Sequence, residues 1–217
     1  QIPVPAANHT YLALDFLTGS TGYVGGGGAG LPANIYKTTD GGASWITQAL
    51  GYSGSVLSIK MFDLNFGYAH GNLFHKTTNG GTNWVAQTTP SGALSNMFVL
   101  NKDVIFLGGA VSSSSNNPII HRTTNGGLNW TNITGDMPDS VVVGRTEWLN
   151  INDGVAGCTG GLVAKTTNGG INWVISNQGF GNISDVAMTT RNLWYAAASN
   201  GSAFQIGRKT ENLTSIS

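Results

Sequence analysis

The sequence predicts an all-β fold of the β-propeller type, and two observations carry that reading. An eleven-residue segment, Ile35 to Trp45 with the core Thr38-Thr39-Asp40-Gly41-Gly42, recurs three more times and ends at Trp84, Trp130 and Trp173. The tryptophans lie 39, 46 and 43 residues apart, one four-stranded propeller blade per repeat and too long for leucine-rich, ankyrin or tetratricopeptide units. Ahead of each copy run two short, partly alternating apolar segments separated by turn residues, the pattern of antiparallel strands.

The elements follow in order. Blade one, about 10–50, opens with Leu12 to Phe16 and continues with Gly22 to Gly25. Blade two, about 54–89, has Val56 to Phe62 and Gly67 to His70. Blade three, about 93–135, has Leu94 to Leu100 and Ile105 to Gly108. Blade four, about 140–178, has Val141 to Leu149 and Gly154 to Gly157. In each, a third strand ends at Thr-Thr, and the Asx-Gly that follows is a strong hairpin signal. Asp40, Asn79, Asn125 and Asn168 can accept hydrogen bonds from amides just ahead, and the glycines admit positive φ. Each Trp opens the fourth strand and is expected to wedge its ring against a neighbouring blade.

Blade five, about 182–217, starts with Ile183 to Met188 and Trp194 to Ala197, but its repeat is degenerate and Ile216 falls near the expected Trp. An outer strand is missing. Ile2 and Val4, in the segment 1–6 whose prolines suit an edge, are the candidates to supply it, either within the chain or from an adjacent copy. The whole is read as one domain, 1–217, of five blades.

These residues resemble the Asp-box, or bacterial neuraminidase repeat, whose pattern Ser/Thr-x-Asp-x-Gly-x-x-Trp is met in full by Thr38, Asp40, Gly42 and Trp45. The other copies, Thr77-Asn79-Gly81-Trp84, Thr123-Asn125-Gly127-Trp130 and Thr166-Asn168-Gly170-Trp173, carry Asn in place of Asp. Asn keeps the turn hydrogen bonds but removes the carboxylate that a metal or acid site would use. The dense Thr-Thr-Asn-Gly-Gly form is similar to secreted propeller modules and photosystem II assembly-factor propellers, and less to the catalytic domain of sialidases.

Composition narrows the function. Only 9% of residues are charged and the formal net charge is zero, so the basic stripe of a nucleic-acid binder is absent. A near-neutral surface gives little repulsion between copies, which favours self-association. No apolar run is long enough for a membrane helix. The first residue is Gln1 rather than Met, and with the Asn/Ser/Thr-rich composition this leads us to expect an exported, extracellular or cell-surface protein. Asn-x-Ser/Thr sequons occur no more often than that composition produces. Cys158 is the only cysteine, and its strand context reads as a small buried hydrophobe.

Catalysis is not expected. A sialidase-type site needs an arginine triad, a Tyr with a Glu partner and an acid. The chain offers Arg122, Arg145, Arg191 and Arg208 with Glu147 and Glu211, and Arg122 fills the repeat position of Lys37, Lys76 and Lys165. His75 and His121 share a repeat position with Tyr36 and Ala164, so they read as strand-face residues rather than metal ligands. No metal or cofactor is expected.

Insertions point to binding. From the second-strand aromatic or Val to the box Trp the chain runs 22, 16, 24 and 18 residues in blades one to four. The longer connections, Gly25 to Asn34 and Gly108 to Pro118, make Gly28, Leu31, Asn34, Ser113, Asn116 and Asn117 the candidate binding-loop residues. The resulting expectation is a non-catalytic interaction or scaffold module whose partner is a protein, a further copy included; the alternative is a glycan-binding or carbohydrate-active propeller.

Overall fold

The computed structural model describes residues 8–179, 181–200 and 203–210. Segment 1–6, and with it Ile2 and Val4, lies outside the described residues, as do Glu211 and Ile216. The chain divides into two compact units, 1–89 and 90–217. Each is built of consecutive antiparallel meanders.

The first unit holds two sheets. One orders β1 (Thr10–Phe16), β2 (Gly22–Gly28), β3 (Leu31–Thr38) and β4 (Ile46–Ser53); the other orders β5 (Val56–Met61), β6 (Gly67–Gly71), β7 (Phe74–Thr77) and β8 (Val85–Ala86). The second unit holds three. They are β9 (Ala93–Val99), β10 (Ile105–Ala110), β11 (Pro118–Thr123) and β12 (Thr131–Asn132); β13 (Val143–Trp148), β14 (Gly154–Cys158), β15 (Leu162–Thr166) and β16 (Val174–Asn177); and β17 (Asn182–Thr190), β18 (Leu193–Asn200) and β19 (Ala203–Thr210). Among the described residues the last sheet has three strands. No described helix is long and apolar enough to cross a membrane.

The register repeats from sheet to sheet. Leu14, Ile59, Met97, Thr146 and Val186 stand opposite Val24, Ala69, Leu107, Ala156 and Ala196. Each pairing of first and second strands carries a register shift near the start of the first strand, such as Tyr11/Ala13 and Val143/Arg145. A bulge of this kind bends the strand and raises its twist.

Core residues collect between successive sheets of a unit. Tyr23, Ile35 and Ala13 of the first sheet pack with Val56, Ile59 and Met61 of the second. Phe106 of the third stacks on Trp148 of the fourth with ring centroids 3.9 Å apart, inside a cluster that also holds Ile120, Val143 and Trp173. Val155 and Val163 of the fourth sheet pack with Ile183, Val186 and Met188 of the fifth. Cys158 belongs to this interior at 1% exposure, and burial pushes its thiol up to about 12, so it is an inert packing residue.

Close approach depends on one small residue. A Cβ on Gly25 would lie 2.6 Å from Val56 Cγ1, on Gly108 3.1 Å from Val143 Cγ1, and on Gly157 2.5 Å from Ile183 Cγ2. These three glycines share a register position, and each admits the first strand of the following sheet. The second sheet carries His70 there.

Candidate functional site

The repeated Thr-Thr-Asx-Gly-Gly turn joins third and fourth strands, and its geometry is the same four times. Thr38 Oγ1 donates to Asp40 Oδ1 at 2.8 Å and accepts from the Gly42 amide at 2.8 Å. Thr77, Thr123 and Thr166 do the same with Asn79, Asn125 and Asn168 at 2.9–3.1 Å, and accept from Gly81, Gly127 and Gly170 at 2.8–3.0 Å. The Asx oxygen then accepts the amide four residues on, from Ser44, Asn83, Asn129 and Asn172, at 2.9–3.0 Å. Both glycines of every pair have positive φ, as in Gly41 at 72° and Gly42 at 94°, a region that L side chains avoid. Each first glycine donates to the turn between the first two strands of its own sheet, as Gly41 does to Ser20 O at 2.9 Å. Asp40 is held down to about 2, chiefly by the Ser44 hydroxyl, then by the Ser44 amide and Thr38.

Thr and Asx oxygens are therefore spent inside the turn, and the box is architecture. Its Trp residues divide. Trp173 is 5% exposed; it meets Trp148 edge-on at 5.8 Å and donates Nε1–H to Ile133 O at 3.3 Å. Trp84 is half-buried against the first sheet and donates to Gln48 Oε1 at 3.0 Å. Trp45 and Trp130 are half-buried on residues of their own sheets, Phe16 in one case and Leu94, Leu107 and Ile119 in the other. The wedge expected of all four thus holds where a sheet follows another in its unit. Trp45 and Trp130 belong to the sheets that open their units.

The two insertions also divide. The long connection expected over 25–34 is instead a continued hairpin: β2 runs to Gly28, β3 starts at Leu31, and Gly28 pairs with Leu31 across a two-residue turn. Gly28 N donates to Gly54 O at 3.1 Å and Gly54 N to Leu31 O at 2.9 Å, which pins the tip; Asn34 is buried in β3. The glycines there serve packing, with Gly25 under Val56 and Gly26 under Tyr11. In the third sheet a true connection spans 111–117, with Ser113, Asn116 and Asn117 exposed, internally tied by Val111 N to Asn117 O at 2.9 Å.

A groove that the sequence reading missed runs along β4. It encloses about 500 Å³ between Ile46, Thr47 and Gln48 on one wall and Thr82, Asn83 and Trp84 of the next turn on the other, with Lys37 and Thr39 at its base. Lys37 Nζ donates to Gly80 O at 2.9 Å, and the Tyr23 hydroxyl donates to the same carbonyl at 3.2 Å, so the first sheet grips the turn of the second. Related grooves recur at Lys76, Thr78 and Val85 and at Lys165, Thr167 and Val174. The signal was present: three of the four repeat Trp residues are followed by an exposed aliphatic residue, at 62% for Ile46, 58% for Val85 and 71% for Val174.

First strands carry further charge. Lys60 Nζ pairs with Asp15 Oδ1 at 3.3 Å, and Asp15 also accepts the Met61 amide. On β13, burial raises the Glu147 carboxyl, and the negative charge of Asp185 raises it further. Arg145 is exposed on the same strand, Arg191 pairs with Asp153 at 2.9 Å, and the Arg122 guanidinium reaches Ile151 O at 3.4 Å, as a repeat residue should. Arg122, Arg145 and Arg191 thus do not converge. His75 and His121 are buried at the strand position of Tyr36 and Ala164, and the described residues hold no group of three His, Cys, Asp or Glu fit for a metal.

No family model and no curated protein matches the chain. Solved structures do. YCF48 bound to a D1 peptide aligns at 19% identity over 95% of this chain and 64% of its own, with a TM-score of 0.67. The Niastella koreensis GH74 enzyme aligns at 18% identity over 88% of this chain and 34% of its own, with a TM-score of 0.63. The GH74 xyloglucanase from Xanthomonas campestris gives 10%, 89%, 46% and 0.53 in the same order. The chain therefore spans less than two thirds of the length of each. With five successive antiparallel sheets and these likenesses, the chain has the β-propeller fold.

Proposed function

We propose that this chain is a non-catalytic, extracellular Asp-box propeller that acts as an interaction or scaffold module with a protein partner. One observation carries the reading: the four repeated turns consume their Thr and Asx oxygens internally, so what the surface offers is grooves with a single lysine each and exposed aliphatic residues rather than a convergent set of acids, bases or ligands. The peptide carried by YCF48 is in keeping with a protein partner here. Light scattering on the purified protein, alone and with candidate peptides, tests the reading together with a glycan array. A specific glycan hit, or hydrolysis of a glycoside, would defeat it.

A carbohydrate-active function is the second reading, favoured by the Glu147 carboxyl, which burial and then the neighbouring Asp185 charge raise, since a raised carboxyl near a second carboxylate is the arrangement glycoside hydrolysis uses. Release of reducing ends from xyloglucan or β-glucan oligosaccharides, abolished by Glu147→Gln, would establish it. Absence of turnover in the parent protein removes it.

A further inference from the structure

We propose that the groove along β4 takes an extended acidic peptide of a partner protein, which adds a strand to the open margin of β4 and sets a carboxylate on Lys37; this rests on the interaction-module reading and gives its partner a chemistry.

Register decides which backbone groups of β4 are open. Ile46 and Gln48 stand opposite Lys37 and Ile35. At the corresponding register of three other sheets, Gln87 N donates to Phe74 O at 2.8 Å, Ile133 N to Ile120 O at 2.8 Å and Gln178 N to Gly161 O at 2.9 Å. The repeat thus turns the backbone groups of Ile46 and Gln48 towards β3. Because consecutive residues of an antiparallel strand point these groups to opposite sides, those of Thr47 and Ala49 face away from it. β4 ends its sheet, and Thr47 and Ala49 are exposed. Two amides and two carbonyls at alternate residues are what an added strand pairs with. The adjoining groove at Lys76 lies beside β8, which runs only two residues, and so short an edge offers no such row.

Side chains of the groove select what the added strand carries. Ile46 and Gln48 share a face with Lys37, as cross-strand neighbours do. Gln48 accepts from Trp84 Nε1 at 3.0 Å, which ties the two walls of the groove together before anything binds and lowers the cost of binding. Among the described residues that line the groove there is one lysine and no Asp or Glu. A lysine ammonium has three donors; Lys37 spends one on Gly80 O, and no described carboxylate pairs with it. A carboxylate is the acceptor that such a cation holds most strongly. Ile46, at 62% exposure, offers an apolar contact on the same face. β4 itself contains no acid, so a second copy meeting it edge to edge would leave Lys37 unanswered. An extended peptide with an acidic residue beside an apolar one answers both the backbone and the wall.

The test is fluorescence polarisation with labelled six-residue peptides of alternating Val and Thr, one Thr being replaced at each position in turn by Glu, Gln or Lys, together with amide hydrogen exchange. The best Glu peptide should bind about tenfold or more tightly than its Gln and Lys counterparts. Its binding should slow exchange at Thr47 and Ala49 and leave Ile46 and Gln48 as they were. Ala49→Pro removes an outward amide and none of the ladder to β3; it should weaken that peptide by about tenfold with an unchanged thermal melt. Lys37→Met should erase the preference for Glu, and if loss of its hold on Gly80 unfolds the protein, Ile46→Glu at an exposed position should erase it by repulsion. No binding of any Glu peptide at millimolar concentration, equal binding of the Glu, Gln and Lys peptides, or an Ala49→Pro protein that binds as the parent does overturns the proposal. So does a parent that gains mass alone in light scattering and loses that gain in Ala49→Pro, since a second copy then holds the margin. Those failures leave a protein partner elsewhere on the surface standing, whereas a specific glycan hit or glycoside turnover would remove the underlying reading instead.

Discussion

The turn at Thr38 and the interior around His70 both bury polar atoms, and they do it in opposite ways. In the turn, Thr38 is 1% exposed, yet its hydroxyl both donates and accepts within four residues of sequence. His70 is also 1% exposed, but neither ring nitrogen has a hydrogen-bond partner among the described residues. His75, stacked on Tyr52 with centroids 5.6 Å apart, lies close enough to oppose protonation of His70. A polar burial solved by local hydrogen bonds can be copied from sheet to sheet without reference to the surroundings. One that replaces a packing glycine has no local solution and remains a cost.

Four substitutions or conditions can break or sharpen that contrast. The largest effect is expected where a repeated residue has become fully buried. Trp173→Ala should cost about 3–5 kcal/mol in chemical denaturation, as for other buried aromatics, and Trp84→Ala clearly less because its ring is half in solvent. Equal losses would mean that the exposure of the ring does not set its contribution.

Acid should come next. Burial, reinforced by His75, lowers His70 to about 4, against about 6.5 in an unfolded chain. The neutral ring is favoured in the fold, so stability is fully present above 6.5 and is lost progressively as the pH falls from there to about 4. The loss should be on the order of 3 kcal/mol. Urea melts at pH 7, 5 and 4 measure it, and His70→Leu should flatten most of the slope. The Asp40 carboxyl, held at about 2, contributes stability that is present above its unfolded value and lost only as the pH falls through 2. The two regions are thereby separated on the pH axis.

Thr166→Val keeps the side-chain volume while removing the hydroxyl between Asn168 and Gly170. Leaving the buried Gly170 amide without its acceptor should cost about 1–3 kcal/mol. If the variant melts with the parent protein, the hydroxyl is not what holds the turn. The smallest effect belongs to Asp40→Asn, since three turns already hold Asn with the same Thr and backbone partners and only the exposed bond from the Ser44 hydroxyl to the second carboxylate oxygen is lost; a loss as large as that of Thr166→Val would show that the four turns are not equivalent.

What could be read from the sequence was whatever is encoded locally. Strand positions followed from alternation and from Asx-Gly, and the turn bonds of Asp40 and its Asn counterparts followed from side-chain chemistry within five residues. Gly25 to Gly28 misled for a physical reason: glycine serves a flexible loop and a close packing contact alike, and only the position of Val56 tells them apart. Trp burial misled similarly, because Trp45 and Trp173 sit in nearly identical segments but differ in whether a preceding sheet lies beneath them. The β4 groove depends on two sheets meeting, which no single segment announces. His70 was visible as a histidine, but its register with Gly25, Gly108 and Gly157 appears only once the strands are paired.

The length of β4 carries a consequence for handling the protein. Its counterparts β8 and β12 are two residues long and β16 four, whereas β4 runs eight, Ile46–Ser53, with neither charge nor proline. It ends its sheet, so the outer margin of 46–49 is open to a passing extended chain, as far as the irregularity around Gly51 and the Ser53 carbonyl that accepts from Asn72. Natural sheets blunt such margins with lysine, proline, bulges or brevity; over 46–49 this one uses none of them. Partial unfolding at high concentration would give β4 the part of a seed for ordered aggregation, and a single lysine at the exposed Ala49 would act as the missing gatekeeper.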